Sequence, residues 1–123
     1  MLDALKAYLE ALGYSGIAID TLPDVQKQRD VIALFEWNHA LSDINDGTGL
    51  HYIQVQVRRS TYTAARKICR KLFTLLDSGT EERLLYLTDN VFCIARPRRG
   101  PIKMESGTNY VTFYYELALW GTN

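Results

Sequence analysis

Two hydrophobic spacings alternate along this chain. Leu2, Leu5, Leu9 and Leu12 recur at the period of one helix face with Tyr8 beside them, and Gly13 follows where a helix ends, so the spacing predicts a helix over about residues 2–12. A short apolar stretch from Gly16 to Ile19 and a polar loop containing Pro23 come next. The run from Val31 to Trp37 is β-branched and aromatic and too short for a core helix, which predicts a strand. From Tyr52 to Arg58 the pattern alternates: Ile53, Val55 and Val57 face one way, and Tyr52, Gln54, Gln56 and Arg58 the other, as in a half-buried strand. Between these two, His39 to Gly49 carries the turn formers Asp43, Asn45, Asp46, Gly47 and Gly49 and is expected to protrude as a loop.

The helical period then returns in its clearest form. Ala65, Ile68, Cys69, Leu72, Leu75 and Leu76 mark one face, and Arg66, Lys67, Arg70 and Lys71 mark the back, with Ser60 or Thr61 placed to cap the start and Gly79 the end. The final third reads as three strands, Arg83 to Leu87, Val91 to Arg96 and Tyr110 to Trp120, separated by turns at Thr88 to Asn90 and Gly100 to Asn109. In the last strand Val111, Phe113, Tyr115, Leu117 and Leu119 oppose Tyr110, Thr112, Tyr114, Glu116 and Trp120. Both faces are bulky, so one is expected under the helices and the other against another chain. The order is helix, two strands, helix, three strands. It predicts an α+β fold with two helices packed on one face of a largely antiparallel sheet, in a single domain spanning residues 1–123.

Composition narrows the function classes. A chain of 123 residues is too short for a two-domain enzyme, and 47% hydrophobic residues suffice for a core without metal or disulfides. Fourteen basic residues balance fourteen acidic ones, so no net field selects a nucleic acid or an acidic membrane. That balance conceals a polarity: residues 1–50 hold three bases against eight acids, a net of −5, and the remainder carries +5. The acidic, amphipathic start has no signal-peptide character. The longest apolar runs, Val31 to Phe35 and Val91 to Ala95, fall far short of the ~20 residues a membrane helix needs. A soluble protein made in the cytoplasm is therefore expected, with Cys69 and Cys93 as reduced core thiols and a disulfide between them left open.

Candidate chemistry is sparse. His39 and His51 are the only imidazoles and neither has Cys, Asp or Glu at metal-ligand spacing. Asp43, Asn45, Asp46 and Gly47 approximate a calcium loop, but the glycine falls one place early and Gln54 stands where a bidentate Glu is required, so a plain turn is expected. Nucleophile and phosphate-loop motifs are absent, and no set of acid, base and stabiliser suggests an enzyme or a cofactor. Two basic stretches stand out. Arg58, Arg59, Arg66, Lys67, Arg70 and Lys71 read as a solvated helix back, or as a surface for nucleic acid or an acidic protein. Arg96, Arg98, Arg99 and Lys103 surround Pro97, Gly100 and Pro101 in what reads as a semi-rigid loop, either a docking surface or a solubilising hairpin tip.

The order of motifs resembles that of tailed-bacteriophage minor capsid and tail terminator proteins. The residues that carry the resemblance are the acidic first helix ending in glycine, the strand from Tyr52 to Arg59, the helix from Tyr62 to Leu76, Arg96-Pro97, Glu105-Ser106-Gly107 and the aromatic strand from Asn109 to Leu119. Positions matching the family pattern are Val55, Val57, Arg58, Ala65, Leu72, Leu76, Pro97, Gly107 and Tyr110. Glu105 departs from it, since the family often has Asp in that turn. The resemblance implies a small α/β sandwich whose edges and loops join neighbouring subunits into a homohexameric ring. Such a ring is a virion component of the neck that caps the head-proximal end of the tail tube and meets the head-completion proteins. Arg58, Arg59, Arg96, Arg98, Arg99, Lys103, Glu105, Asp43 and Asp46 are then the expected contacts. They would touch the ring neighbour, the tail tube protein or, non-specifically, DNA in the lumen, with no catalysis, cofactor or membrane. An acidic first part and a basic remainder suit a heterologous contact between copies. The alternatives are another neck or head-completion protein, or a nucleic-acid-binding module built on the basic helix at residues 60–77.

Overall fold

The computed structural model describes residues 1–41 and 48–122. The elements run α1 (Leu2–Ala11), β1 (Ile17–Ile19), β2 (Val31–Leu41), β3 (Thr48–Arg59), α2 (Tyr62–Leu75), β4 (Leu85–Tyr86), β5 (Phe92–Gly107) and β6 (Tyr110–Thr122). Both helices follow from their apolar stripes. Leu5 and Leu9 of α1 are fully buried, and the chain leaves the helix through Gly13, whose φ of +96° a side chain would resist. Helix α2 starts at Thr61, whose Oγ1 accepts from the Ala64 backbone N–H at 3.2 Å. Ala65, Cys69, Leu72 and Leu76 are completely buried beneath it, while Arg66, Lys67, Arg70 and Lys71 point to solvent. Gly79 is not the cap: the helix ends at Leu76, and Gly79 serves the turn beyond.

The strands form one six-stranded mixed sheet in the order β1-β2-β3-β6-β5-β4. Two expectations need correction. The stretch before Pro23 supplies a further strand, β1, parallel to β2 through Ile17–Ile32 and Ile19–Leu34, so the sheet is mixed and three strands precede α2. Three residues are too few for periodicity to register as a strand. Second, the predicted basic loop at Arg96 to Lys103 is a strand: β5 continues to Gly107, pairing with β6 as far as Gly107–Tyr110. Only Thr108 and Asn109 turn, the latter left-handed at φ +70°.

Prolines are tolerated in β5 because of which way they face. Ala95 bonds outward through both N and O, to Ser78 Oγ and the Ser78 N–H at 2.8 Å each. Two residues on, Pro97 therefore lacks an N–H that would have pointed away from β6, and no ladder bond is lost. Bulges between Arg98 and Ile102 and between Lys103 and Glu105 absorb the Gly100-Pro101 unit. At Gly100, φ is +135° and a Cβ would lie 2.6 Å from that of Tyr115, so no side chain fits.

One side of the sheet meets both helices. Cross-strand rows such as Ile32–Val57–Phe113 and Leu34–Val55–Tyr115 join Leu5, Leu9, Cys69, Leu72 and Leu76 in a single apolar cluster. Each fully buried aliphatic side chain there contributes about 1.5–3 kcal/mol. Cys69 and Cys93 are free and buried in the cluster, and burial pushes their thiols up to about 12 and about 11. Phe73 packs edge-on against fully buried Tyr115, with ring centroids 5.1 Å apart.

Candidate functional site

The helix-free side of the sheet is divided by the link between the two parallel strands. A parallel pair cannot be joined by a tight turn, so residues 20–30 must cross the sheet. Arg58 marks where they go. It alternates with core residue Val57 and so faces away from the helices. From there its Nη2 donates to the carbonyls of Pro23 (2.5 Å) and Gln28 (2.6 Å), and its Nε to that of Arg29 (3.2 Å). The crossover thus lies over one end of this side. Beneath it Val31 and Ala33 are sealed and Gln56, Arg58 and Thr112 are buried. Arg58, expected as a contact residue, is only 2% exposed and is occupied as an internal clamp. Neighbouring Arg59 is half-buried and donates to the Val31 carbonyl at 3.3 Å; burial pulls its guanidinium below the usual value, opposed by the charge of Asp30.

Beyond the crossover the same side is uncovered among the described residues. Trp37 and Tyr52 lie with ring centroids 6.1 Å apart, Tyr86 and Phe92 are 5.8 Å apart, and Trp120 stands out from β6. Trp37 is 52% exposed, Tyr86 61% and Trp120 42%. Aromatics at this density on an open sheet face form an exposed apolar patch, and folding alone gains little from leaving them in water.

Both margins of the sheet are also open among the described residues. β1 covers β2 only from Ile32 to Leu34, and β4 covers β5 only at Phe92 and Cys93, with Ser78 adding one pair of bonds at Ala95. The predicted cations lie on this second edge. Arg96 pairs with Glu82 at 2.5 Å, Arg98 sits 5.6 Å above the Tyr52 ring, and Arg99 lies 3.7 Å from Glu116. Lys103 and Glu105 are exposed farther along, beside the exposed Ile102 and Met104. Tyr52, Arg96, Arg98 and Asp77 border a hollow of about 420 Å³. Arg96, Arg98, Arg99, Lys103 and Glu105 thus share one strand edge. Arg58 and Arg59 lie two strands in, at the end of β3, where Arg58 shares a row with Thr112 and Glu105. Asp43 and Asp46 lie outside the described residues, but the loop expected over His39 to Gly49 is shorter than its turn formers suggested: β2 runs on to Leu41 and β3 begins at Thr48.

One pair escaped the sequence reading. His51 Nδ1 lies 2.5 Å from Glu36 Oε2, with both side chains largely buried. Their approach depends on the register of the β2–β3 hairpin and its bulge between Glu36 and Asn38, which spacing does not disclose. Among the described residues no cluster of three or more His, Cys, Asp or Glu could hold a metal, and no helix is long and apolar enough to cross a membrane. No protein-family model and no curated protein matches the chain.

Proposed function

We propose that this chain is a structural subunit of a phage tail, a tail terminator that closes head to tail into a ring at the head-proximal end of the tail tube. The observation that carries this reading is the half of the sheet left uncovered among the described residues, where Trp37, Tyr52, Trp120, Phe92 and Tyr86 are collected with neither α1 nor α2 above them. It is supported by two dissimilar open edges, Phe35 onward in β2 and Pro97 onward in β5. A head-to-tail ring needs two different patches that meet, one from each neighbour. The motifs from Tyr52 to Leu76 and from Arg96 to Leu119 carry the family resemblance in the sequence.

In this arrangement β5, with Arg98, Arg99, Lys103 and Glu105, meets the β2 margin of the next copy. The prolines and bulges of β5 leave that contact to side chains more than to a continuous backbone ladder, and the rotation from one copy to the next closes the ring. The aromatic side is covered by the neighbour or by the tube protein. The ring's remaining surface is left to the head-completion protein and its opening to DNA. No reaction is performed.

Electron microscopy of the purified protein tests the proposal. Closed rings with a central opening support it. Open filaments, or only compact single subunits at all concentrations, contradict it.

A further inference from the structure

We infer that the groove along α2 holds a single strand of nucleic acid by its phosphates. The groove encloses about 800 Å³ and runs between Tyr14, at the end of α1, and the exposed back of α2. Arg66, Lys67, Arg70 and Lys71 form its basic wall, and Tyr62 lies at the start of the helix. From Tyr62 to Leu75 there is no acidic residue at all.

These four cations stand together on one helix, and the fold does not use them. Arg58 and Arg59 are spent on backbone carbonyls, Arg96 and Arg99 on Glu82 and Glu116, and Arg98 on the Tyr52 ring. Among the described residues none of the α2 four makes an ion pair; Lys103 is unpaired as well but stands alone on β5, so the densest group of unpaired cations in the basic half is gathered here. Arg66 with Arg70, and Lys67 with Lys71, stand at i,i+4, where like charges repel and weaken the helix. A helix carrying two such pairs is relieved by an external polyanion.

The spacing suits phosphates. Four residues of helix rise about 6 Å, while phosphates on one strand follow every 3.4 Å or more, so each row of two cations spans about two of them. Thr63 and Thr74, also on the groove wall, add hydroxyl donors of the kind that position a phosphate backbone. The two tyrosines favour nucleic acid over an acidic peptide and a single strand over a duplex. Tyr62 is half-exposed beside the cationic wall and Tyr14 lines the groove while packing partly against the core, and only an unpaired base has a free face to stack on such a ring. Tyr62 is 52% exposed and forms an edge-to-face pair with Phe113, with centroids 5.0 Å apart at 75°, which fixes the ring while about half of it stays in water.

The inference is independent of the ring, and the two fail separately because one is read by binding and the other by particle mass. The experiment is fluorescence anisotropy of labelled oligothymidylate of about 20 nucleotides with the full chain. With four phosphates contacted, log affinity should fall with log salt at a slope of about −3, a weakening of about 50-fold between about 50 and 200 mM salt. Arg66→Glu with Arg70→Glu should lower affinity at least tenfold while leaving helix content and particle mass unchanged. Lys67→Gln with Lys71→Gln, a milder change on the same exposed ridge, should shift the salt slope toward zero by about half. Tyr62→Leu should lower affinity about tenfold. The inference is overturned if wild type does not bind at low salt, or if the double reversal binds as tightly as wild type. It is equally overturned if a duplex binds as well as the single strand, if polyglutamate displaces the oligonucleotide at equal charge, or if the reversal changes particle mass.

Discussion

Replacing Arg58 with methionine keeps the aliphatic stem and removes the guanidinium that holds the crossover in place. Three hydrogen bonds from a charged donor are lost, at 2.5, 2.6 and 3.2 Å. A bond to a charged group is worth about 1.5–3 kcal/mol net, but the loop carbonyls regain water when the clamp opens and the guanidinium no longer has to be desolvated. The net cost should be about 2–4 kcal/mol, which for a domain of this size lowers Tm by about 6–15 °C. Urea denaturation gives the first reading. Trypsin gives the second, because Lys27 and Arg29 are exposed in the crossover and should be cut much faster once it is unfastened. Arg58→Lys should recover part of the loss, since an ammonium is a compact point donor without the guanidinium's fixed fork. Arg59→Ala, which removes bonds to the Val31 and Arg58 carbonyls at the margin, should cost less than about 1 kcal/mol. A melting point within about 2 °C of wild type, with cleavage at Lys27 and Arg29 unchanged, would show that the clamp does not hold the crossover.

Further outcomes follow from other parts of the molecule. Trp120→Glu places a charge on the uncovered aromatic face, so light scattering should find assembly lost while circular dichroism reports an intact subunit. If particle mass is retained, that face is not a contact. Tyr115 is fully buried and its hydroxyl has no hydrogen-bond partner among the described residues, so Tyr115→Phe should raise stability by about 1 kcal/mol, and a lowered melting point would be contrary evidence. Burial raises the thiols of Cys69 and Cys93 from an ordinary 9.0 to about 12 and about 11. The folded chain keeps these protons after the unfolded chain has released them. Stability should therefore be fully present below pH 9.0 and decline as pH rises through the folded values, by at most about 1.4 kcal/mol per pH unit for each thiol. Urea midpoints on either side of pH 9.0 should fall less steeply for Cys69→Ala with Cys93→Ala; an unchanged slope would assign the loss to other groups.

Elements whose burial is one-sided were legible before the fold was known. Both helices, β3 and β6 announced themselves through period because one face of each meets a single continuous core. Position narrowed the cap of α2 to Ser60 or Thr61, and the bond from the Ala64 N–H to Thr61 Oγ1 decides between them. β1 was invisible because three residues carry no period. β5 was cut short at Arg96 because proline and glycine signal turns in isolation, whereas an outward-facing Pro97 on an edge strand breaks nothing. Its cations were identified correctly as exposed and grouped, but as a strand edge they form a flat margin and not a projecting loop. Arg58 looked like its neighbours in a basic run. Its burial depends on the crossover from β1, which a single alternating strand cannot reveal. The pairing of Glu36 with His51 depends in the same way on hairpin register. What sequence patterns convey is which face of an element is dry; what lies on the other face depends on chain segments distant in sequence.

The proposal that this subunit closes into a ring is tested most directly by its native mass. Mass spectrometry from volatile buffer should show a dominant species of about 85 kDa, six chains of 14.1 kDa, forming as concentration rises with no higher series beyond it. A single 14.1-kDa species at every concentration, or a closed dimer that grows no further, would contradict it.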